Sequence, residues 1–142
     1  MTYLDTSCLV KLYYPEPDSA RVAGLVAGKT ICYTQLHELE FQNALQLKVF
    51  LKGATPSQIA AANGLIQTDL LSGVLVAPAE NWEEILAEAV KLSQNHTSRL
   101  GCRSIDILHC AAAAVVGAAE FMTGDTRQRQ LAQAIGLNLI SF

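Results

Sequence analysis

Short apolar runs suited to strands alternate with helical repeats along the whole chain, and this alternation restricts the fold more than any single motif. Tyr3 and Leu4 open a strand that ends at Asp5, and Thr6 or Ser7 caps a helix carrying Leu9, Val10, Leu12 and Tyr13. Pro15 and Pro17 break that helix. A second helix runs from about Ser19 to Ala27, where Gly28 stops it before the strand run Thr30 to Tyr33. Thr34 caps a long helix ended by Gly53, and Thr55 followed by Pro56 starts another that reaches about Ser72, so the pair reads as a hairpin. Val74 to Ala77 is a strand, Asn81 caps an amphipathic helix through about Gln94, and Ser104 caps an apolar helix through Val116. Glu120 to Thr123 is a strand, Thr126 to Ile135 a helix, and Asn138 to Ser141 a last strand. About five short strands separated by helices imply an α/β fold with a mostly parallel sheet covered on both faces.

The chain has 142 residues, 51% of them hydrophobic, which suits a single domain over 1–142 with a substantial core. Its longest apolar run, Cys110 to Ala119, is about half of the roughly 20 residues that a membrane-spanning helix needs. The start has no basic segment followed by an apolar one, so a cytoplasmic protein with no membrane association is expected. Cys8, Cys32, Cys102 and Cys110 form no CxxC pair and read as small buried hydrophobes. A formal charge of −3 excludes the basic footprint of a simple DNA-binding domain.

In an open parallel sheet, ligands bind beyond the carboxyl ends of the strands, near the point where strand order reverses. Asp5 follows the first strand and Asp125 the fourth; taken singly, Asp5 reads first as a helix cap and Asp125, in Thr-Gly-Asp-Thr, as a turn residue. Glu40 falls on the stripe Leu36, Glu40, Ala44, Leu47, Leu51, where a buried apolar residue is expected, whereas Glu38 shares a solvated row with Thr34 and Gln42. Asp106 stands near the start of a helix apolar nearly all round. A favourable helix dipole, worth about 0.3 to 1 kcal/mol, does not offset burial of an unpaired charge there. One cause accounts for all four: Asp5, Glu40, Asp106 and Asp125 converge on a pocket where a cation relieves their repulsion. Oxygen ligands select hard ions such as Mg²⁺ or Mn²⁺, and such an ion suits phosphodiester hydrolysis by a metal-activated water.

The motifs Tyr-Leu-Asp-Thr-Ser from Tyr3, Leu-His-Glu-Leu-Glu-Phe-Gln-Asn-Ala-Leu from Leu36, Arg-Ser-Ile-Asp-Ile-Leu-His-Cys-Ala-Ala-Ala from Arg103 and Phe-Met-Thr-Gly-Asp-Thr-Arg-Gln from Phe121 occur in this order. Together they resemble a PIN-domain ribonuclease, specifically a VapC-type toxin of a type II toxin-antitoxin pair. The resemblance covers almost the whole chain and maps the family's acidic quartet onto Asp5, Glu40, Asp106 and Asp125. The glutamate just before Phe-Gln-Asn-Ala-Leu favours Glu40 over Glu38. The resemblance further implies a three-layer α/β/α PIN-like fold, Mg²⁺ or Mn²⁺ as cofactor, homodimers, RNA cleavage and inhibition by a cognate antitoxin.

Thr6, Ser7 and Thr123 carry hydroxyls beside these acids and suit holding a carboxylate or a metal-bound water, or simply capping and turn formation. His109, at i+3 from Asp106, reads as a core histidine orienting a neighbouring group ahead of a metal ligand. His37 and His96 are expected on the surface, with no role. Lys11, Arg99, Arg103, Arg127 and Arg129 are candidates for RNA phosphate contacts, and ordinary surface charge explains them equally well. Setting the four acids aside turns the formal charge from −3 to +1. Leu12, Tyr13, Leu47, Phe50 and Leu51 either line a groove for an amphipathic antitoxin helix or fill the core.

Rival chemistries fit less of the sequence. A haloacid-dehalogenase-like phosphatase needs an aspartate where Ser7 stands, and a receiver needs one after the central strand, where the chain reads Val74 to Pro78. A zinc site on Cys102, Asp106 and His109 explains neither Glu40 nor Asp125. The non-enzymatic alternative is a PIN-like binding module with negligible catalysis that serves to bind an antitoxin.

Overall fold

The structure is a computed structural model that describes residues 1–142. Four short strands, β1 (Thr2–Leu4), β2 (Ile31–Cys32), β3 (Leu75–Val76) and β4 (Glu120–Met122), form a parallel sheet in the order β3-β2-β1-β4. Thr2 pairs with Ile31 on one side and Glu120 on the other, and Ile31 pairs with Leu75. The expected fifth strand, Asn138 to Ser141, contributes a single parallel bridge from Leu139 to Phe121 at the outer edge of β4. Only Phe121 of β4 exchanges ladder hydrogen bonds with this segment: its N–H donates to Asn138 O and its carbonyl accepts from Ile140 N.

Because strand side chains alternate between faces, β1, β2 and β4 each serve two cores. Leu4, Ile31, Leu75 and Met122 point into the layer built by α1 (Thr6–Tyr13), α2 (Ser19–Val26), α3 (Gln35–Phe50) and α4 (Pro56–Ser72). Tyr3, Cys32 and Phe121 point into the layer built by α5 (Trp82–Leu92), α7 (Ser104–Val115) and α8 (Thr126–Ala134). Between α5 and α7 a π-helical turn, Ser93–Thr97, runs into the short helix α6 (Ser98–Leu100), which ends at Gly101 with φ of 65°. The layers are α/β/α. No helix is long and apolar enough to cross a membrane.

Several local expectations are corrected. Asp5, not Thr6 or Ser7, caps α1, and Arg103, not Ser104, stands at the cap position of α7. On α3 the buried stripe is Leu36, His37, Phe41 and Leu45, one residue round from the expected one. Leu47, Phe50 and Leu51 are therefore 51%, 79% and 67% exposed, near the tip where α3 turns toward α4. His37 is fully buried rather than exposed. The four free cysteines are buried, and burial raises each thiol's pKa above its ordinary value, so they remain small apolar groups.

Candidate active site

The chain moves from β1 outward to β2 and β3, then returns to place β4 on the other side of β1. The carboxyl ends of β1 and β4 therefore flank the crevice where strand order reverses. Asp5 leaves β1 there, tied to β4 by its amide, which donates to Met122 O at 2.9 Å. Its Oδ1 accepts from Cys8 N (2.7 Å) and Ser7 Oγ (2.9 Å), capping α1, and its Oδ2 accepts from Thr123 Oγ1 (2.7 Å). Thr123 in turn accepts from Asp125 N at 2.9 Å, so one buried hydroxyl joins the loops after both strands. Asp125 caps α8 by accepting from Gln128 N at 2.9 Å. Asp5 thus caps a helix as expected, and Asp125, expected as a turn residue, caps one as well, both while standing at the crevice.

Glu40 arrives from α3 and Asp106 from α7, on opposite sides of the sheet. Glu40 Oε2 accepts from Thr6 Oγ1 (2.7 Å) and meets His109 Nε2 at 2.5 Å. The buried His109 is backed by Tyr3, whose hydroxyl lies 3.0 Å from Nδ1. Burial alone raises the Glu40 carboxyl pKa, yet the hydrogen bond and charge of His109, with help from Thr6, hold it below the usual carboxylate value. Asp106 is buried, and Arg103 grips both its oxygens: Nε to Oδ2 and Nη2 to Oδ1, each at 3.0 Å. The Arg103 backbone N–H adds a 3.1 Å bond to Oδ2, and the same guanidinium reaches Asp125 at 3.8 Å.

Asp5, Glu40, Asp106 and Asp125 line one cavity of about 480 Å³, together with Thr6, Ser7, Lys11, Asp18, Arg103 and His109. Glu38 instead borders a separate cavity beside Glu80. Among the five candidate cations, Lys11 and Arg103 line the acid cavity and Arg99, Arg127 and Arg129 do not. Arg127 donates to Gly101 O, and Arg129 donates to the carbonyls of Thr123 and Phe142, so both brace loops near the site. His96 is half-buried beside Arg99.

Five carboxylates against two cationic side chains leave an excess of negative charge, and the donors are almost all oxygen. That chemistry fits a hard divalent cation. In this conformation no three His, Cys, Asp or Glu side chains share a coordination point. Asp5, Glu40 and Asp125 are each occupied by hydrogen-bond donors of the protein, and Asp106 by a guanidinium. The zinc alternative fails on placement, because Cys102 lies outside α7 with its thiol directed at Arg127 O.

Three contributors escaped the sequence reading. Tyr3 looked like an ordinary strand residue, and Asp18 is held in a left-handed conformation, φ of 69°, that no motif announced. Gln128 is buried under the cavity, donating to Asp106 O at 3.3 Å. Its spacing from Leu131, Ala132 and Ile135 follows the inward face of α8 and was the available signal.

The family model for the PIN domain matches residues 2–134. The chain belongs to the PIN domain family. No curated protein matches it at significance. Among solved structures it resembles FitAcB from Neisseria gonorrhoeae, with 15% identity, a TM-score of 0.64, and coverage of 99% of this chain and 97% of that one. It also resembles VapBC2 from Rickettsia felis bound to a DNA fragment from their promoter, with 17% identity, a TM-score of 0.64, and coverage of 99% and 98%. These likenesses concern the fold.

Proposed function

We propose that the protein is a Mg²⁺- or Mn²⁺-dependent endoribonuclease acting as the toxin of a toxin-antitoxin pair. The observation that carries this reading is the convergence of Asp5, Glu40, Asp106 and Asp125, from four separate segments, on one cavity at the strand-order reversal. PIN domains are generally nucleases, which supports the reaction class. When bound, the metal supplies an activated water and stabilises charge on the phosphodiester.

The chain's own residues have separable tasks. The four carboxylates hold the cation. Thr123 and Ser7 orient Asp5, while Thr6 and the pair His109 and Tyr3 orient Glu40. Lys11 and Arg103, on the cavity wall, meet RNA phosphates. Arg99, Arg127 and Arg129 are at most peripheral to the substrate path.

For the antitoxin partner, the supporting feature is an apolar groove of about 460 Å³ between α1 and α4, lined by Leu12, Tyr13, Tyr14, Pro15, Ala61 and Leu65. It contains the expected Leu12 and Tyr13 but not Leu47, Phe50 or Leu51, and it suits an amphipathic helix. VapBC2, a neighbour in fold, carries the name of the same toxins that the motifs resemble. A homodimer in the cytoplasm completes the reading.

The test is cleavage of a cellular RNA pool by purified protein with Mg²⁺ or Mn²⁺, with EDTA, and with Asp106→Asn. Defined cuts lost in both controls establish the reaction. Equal behaviour of wild type and Asp106→Asn, while a known ribonuclease cuts the same pool, sinks it and favours the binding module.

A further inference from the structure

Arg103 holds an unusual position among the cations of the site. Its guanidinium takes both oxygens of Asp106 in a two-pronged grip and leans toward Asp125 at 3.8 Å, yet its side chain is 68% exposed. It makes no other side-chain hydrogen bond within the protein. Lys11, by contrast, is tied to Ser7 O and to Glu16, and Arg127 and Arg129 are fixed on backbone carbonyls. Arg103 is thus the one cation paired with two of the four acids, and nothing else anchors it.

A guanidinium does not lose its proton in a protein, so it relieves carboxylate repulsion only by staying close. A hard divalent cation requires the same carboxylate oxygens. The two positive groups exclude one another by geometry and by charge. Asp106 is buried, but the guanidinium is 68% exposed, so it can leave the pair for solvent without disturbing the core.

We propose that Arg103 is a displaceable counter-cation: it neutralises Asp106 and Asp125 until a divalent metal takes those oxygens, and then swings from the rim to a phosphate of the RNA. This rests on the metal-site reading above. Arginine and metal are linked reciprocally, so removing the arginine strengthens metal binding while weakening substrate binding.

The test measures binding of Mn²⁺ alone by calorimetry to wild type, Arg103→Gln, Arg103→Lys and Asp106→Asn, each checked for native circular dichroism. Asp106→Asn loses binding, Arg103→Gln binds Mn²⁺ about tenfold tighter than wild type, and Arg103→Lys falls between them. In wild type, the Arg103 Nε–H resonance moves on titration with Mg²⁺ while that of Arg99, outside the acid cavity, stays in place. Binding by wild type that is unchanged or weakened in Arg103→Gln, with the Nε–H resonance unmoved, overturns the arginine's role and leaves the metal site standing. Absence of Mn²⁺ binding to wild type and Arg103→Gln alike removes the metal reading, and this inference with it.

Discussion

Lowering the pH is expected to destabilise the protein through one residue, His37. It is fully buried between Tyr3, Tyr33 and His109, with ring centroids 4.6, 6.2 and 5.4 Å away. Its Nδ1 accepts from Thr34 N at 3.0 Å, so Nε2 carries the proton and donates to Leu4 O at 2.7 Å, the carbonyl just before Asp5. A second proton on Nδ1 displaces the bond from Thr34 N and leaves only the Thr34 hydroxyl, 2.9 Å away, to accept it. Burial, and then the neighbouring His109, push its pKa down to about 3 from an ordinary value of 6.5.

A base with a depressed folded-state pKa contributes its full stability above the unfolded pKa and loses it as pH falls toward the folded one. At about 1.36 kcal/mol per pH unit, His37 alone removes about 2 kcal/mol between pH 7.5 and 5.0, above the range where carboxylates titrate. Urea unfolding at the two pH values is the assay. With a slope near 2 kcal/mol per M, the wild-type midpoint falls by about 1 M more than that of His37→Gln. The glutamine amide can donate to Leu4 O and accept from Thr34 N without titrating. Parallel pH slopes for the two proteins would refute the reasoning.

Asp5→Asn and Asp106→Asn abolish RNA cleavage while leaving circular dichroism and the unfolding midpoint near wild type, since asparagine still caps α1 at residue 5. Thr123→Val, which strips partners from Asp5 Oδ2 and Asp125 N, costs about 1–3 kcal/mol by urea unfolding, and Thr123→Ser restores most of it. Phe41→Ala, at a fully buried ring packed edge-on against Tyr13, costs about 3–5 kcal/mol. Phe50→Ala, on the exposed end of the same helix, changes stability by no more than about 0.5 kcal/mol.

The order of strands and helices was legible because caps, glycines and period-two or helical spacing are local signals. Each of the four acids could be picked out because a carboxylate at an otherwise apolar position, or just after a strand, is locally anomalous. What local patterns do not carry is rotation and reach. The stripe through Leu36, Glu40, Leu47 and Leu51 satisfied helical spacing as well as the true one, and only contact with β1 and α1 selects Phe41 and Leu45. His37 looked like a surface residue beside Glu38 because its partners, Leu4 O and Tyr3, are 33 or more residues away. Arg103 read as either a phosphate contact or an ordinary surface charge because its pairing with Asp106 is a side-chain choice that spacing alone does not reveal.

The two helical layers are built from successive halves of the chain, α1 to α4 before β3 and α5 to α8 after it. In time, this means that a chain leaving the ribosome presents Asp5 and Glu40 long before Asp106 and Asp125 exist. Its sheet lacks β4 and keeps one face bare until the last helices emerge. The acid cavity is therefore completed only when the last helices emerge, so a partially synthesised molecule cannot bring the four acids together however well its first half has folded.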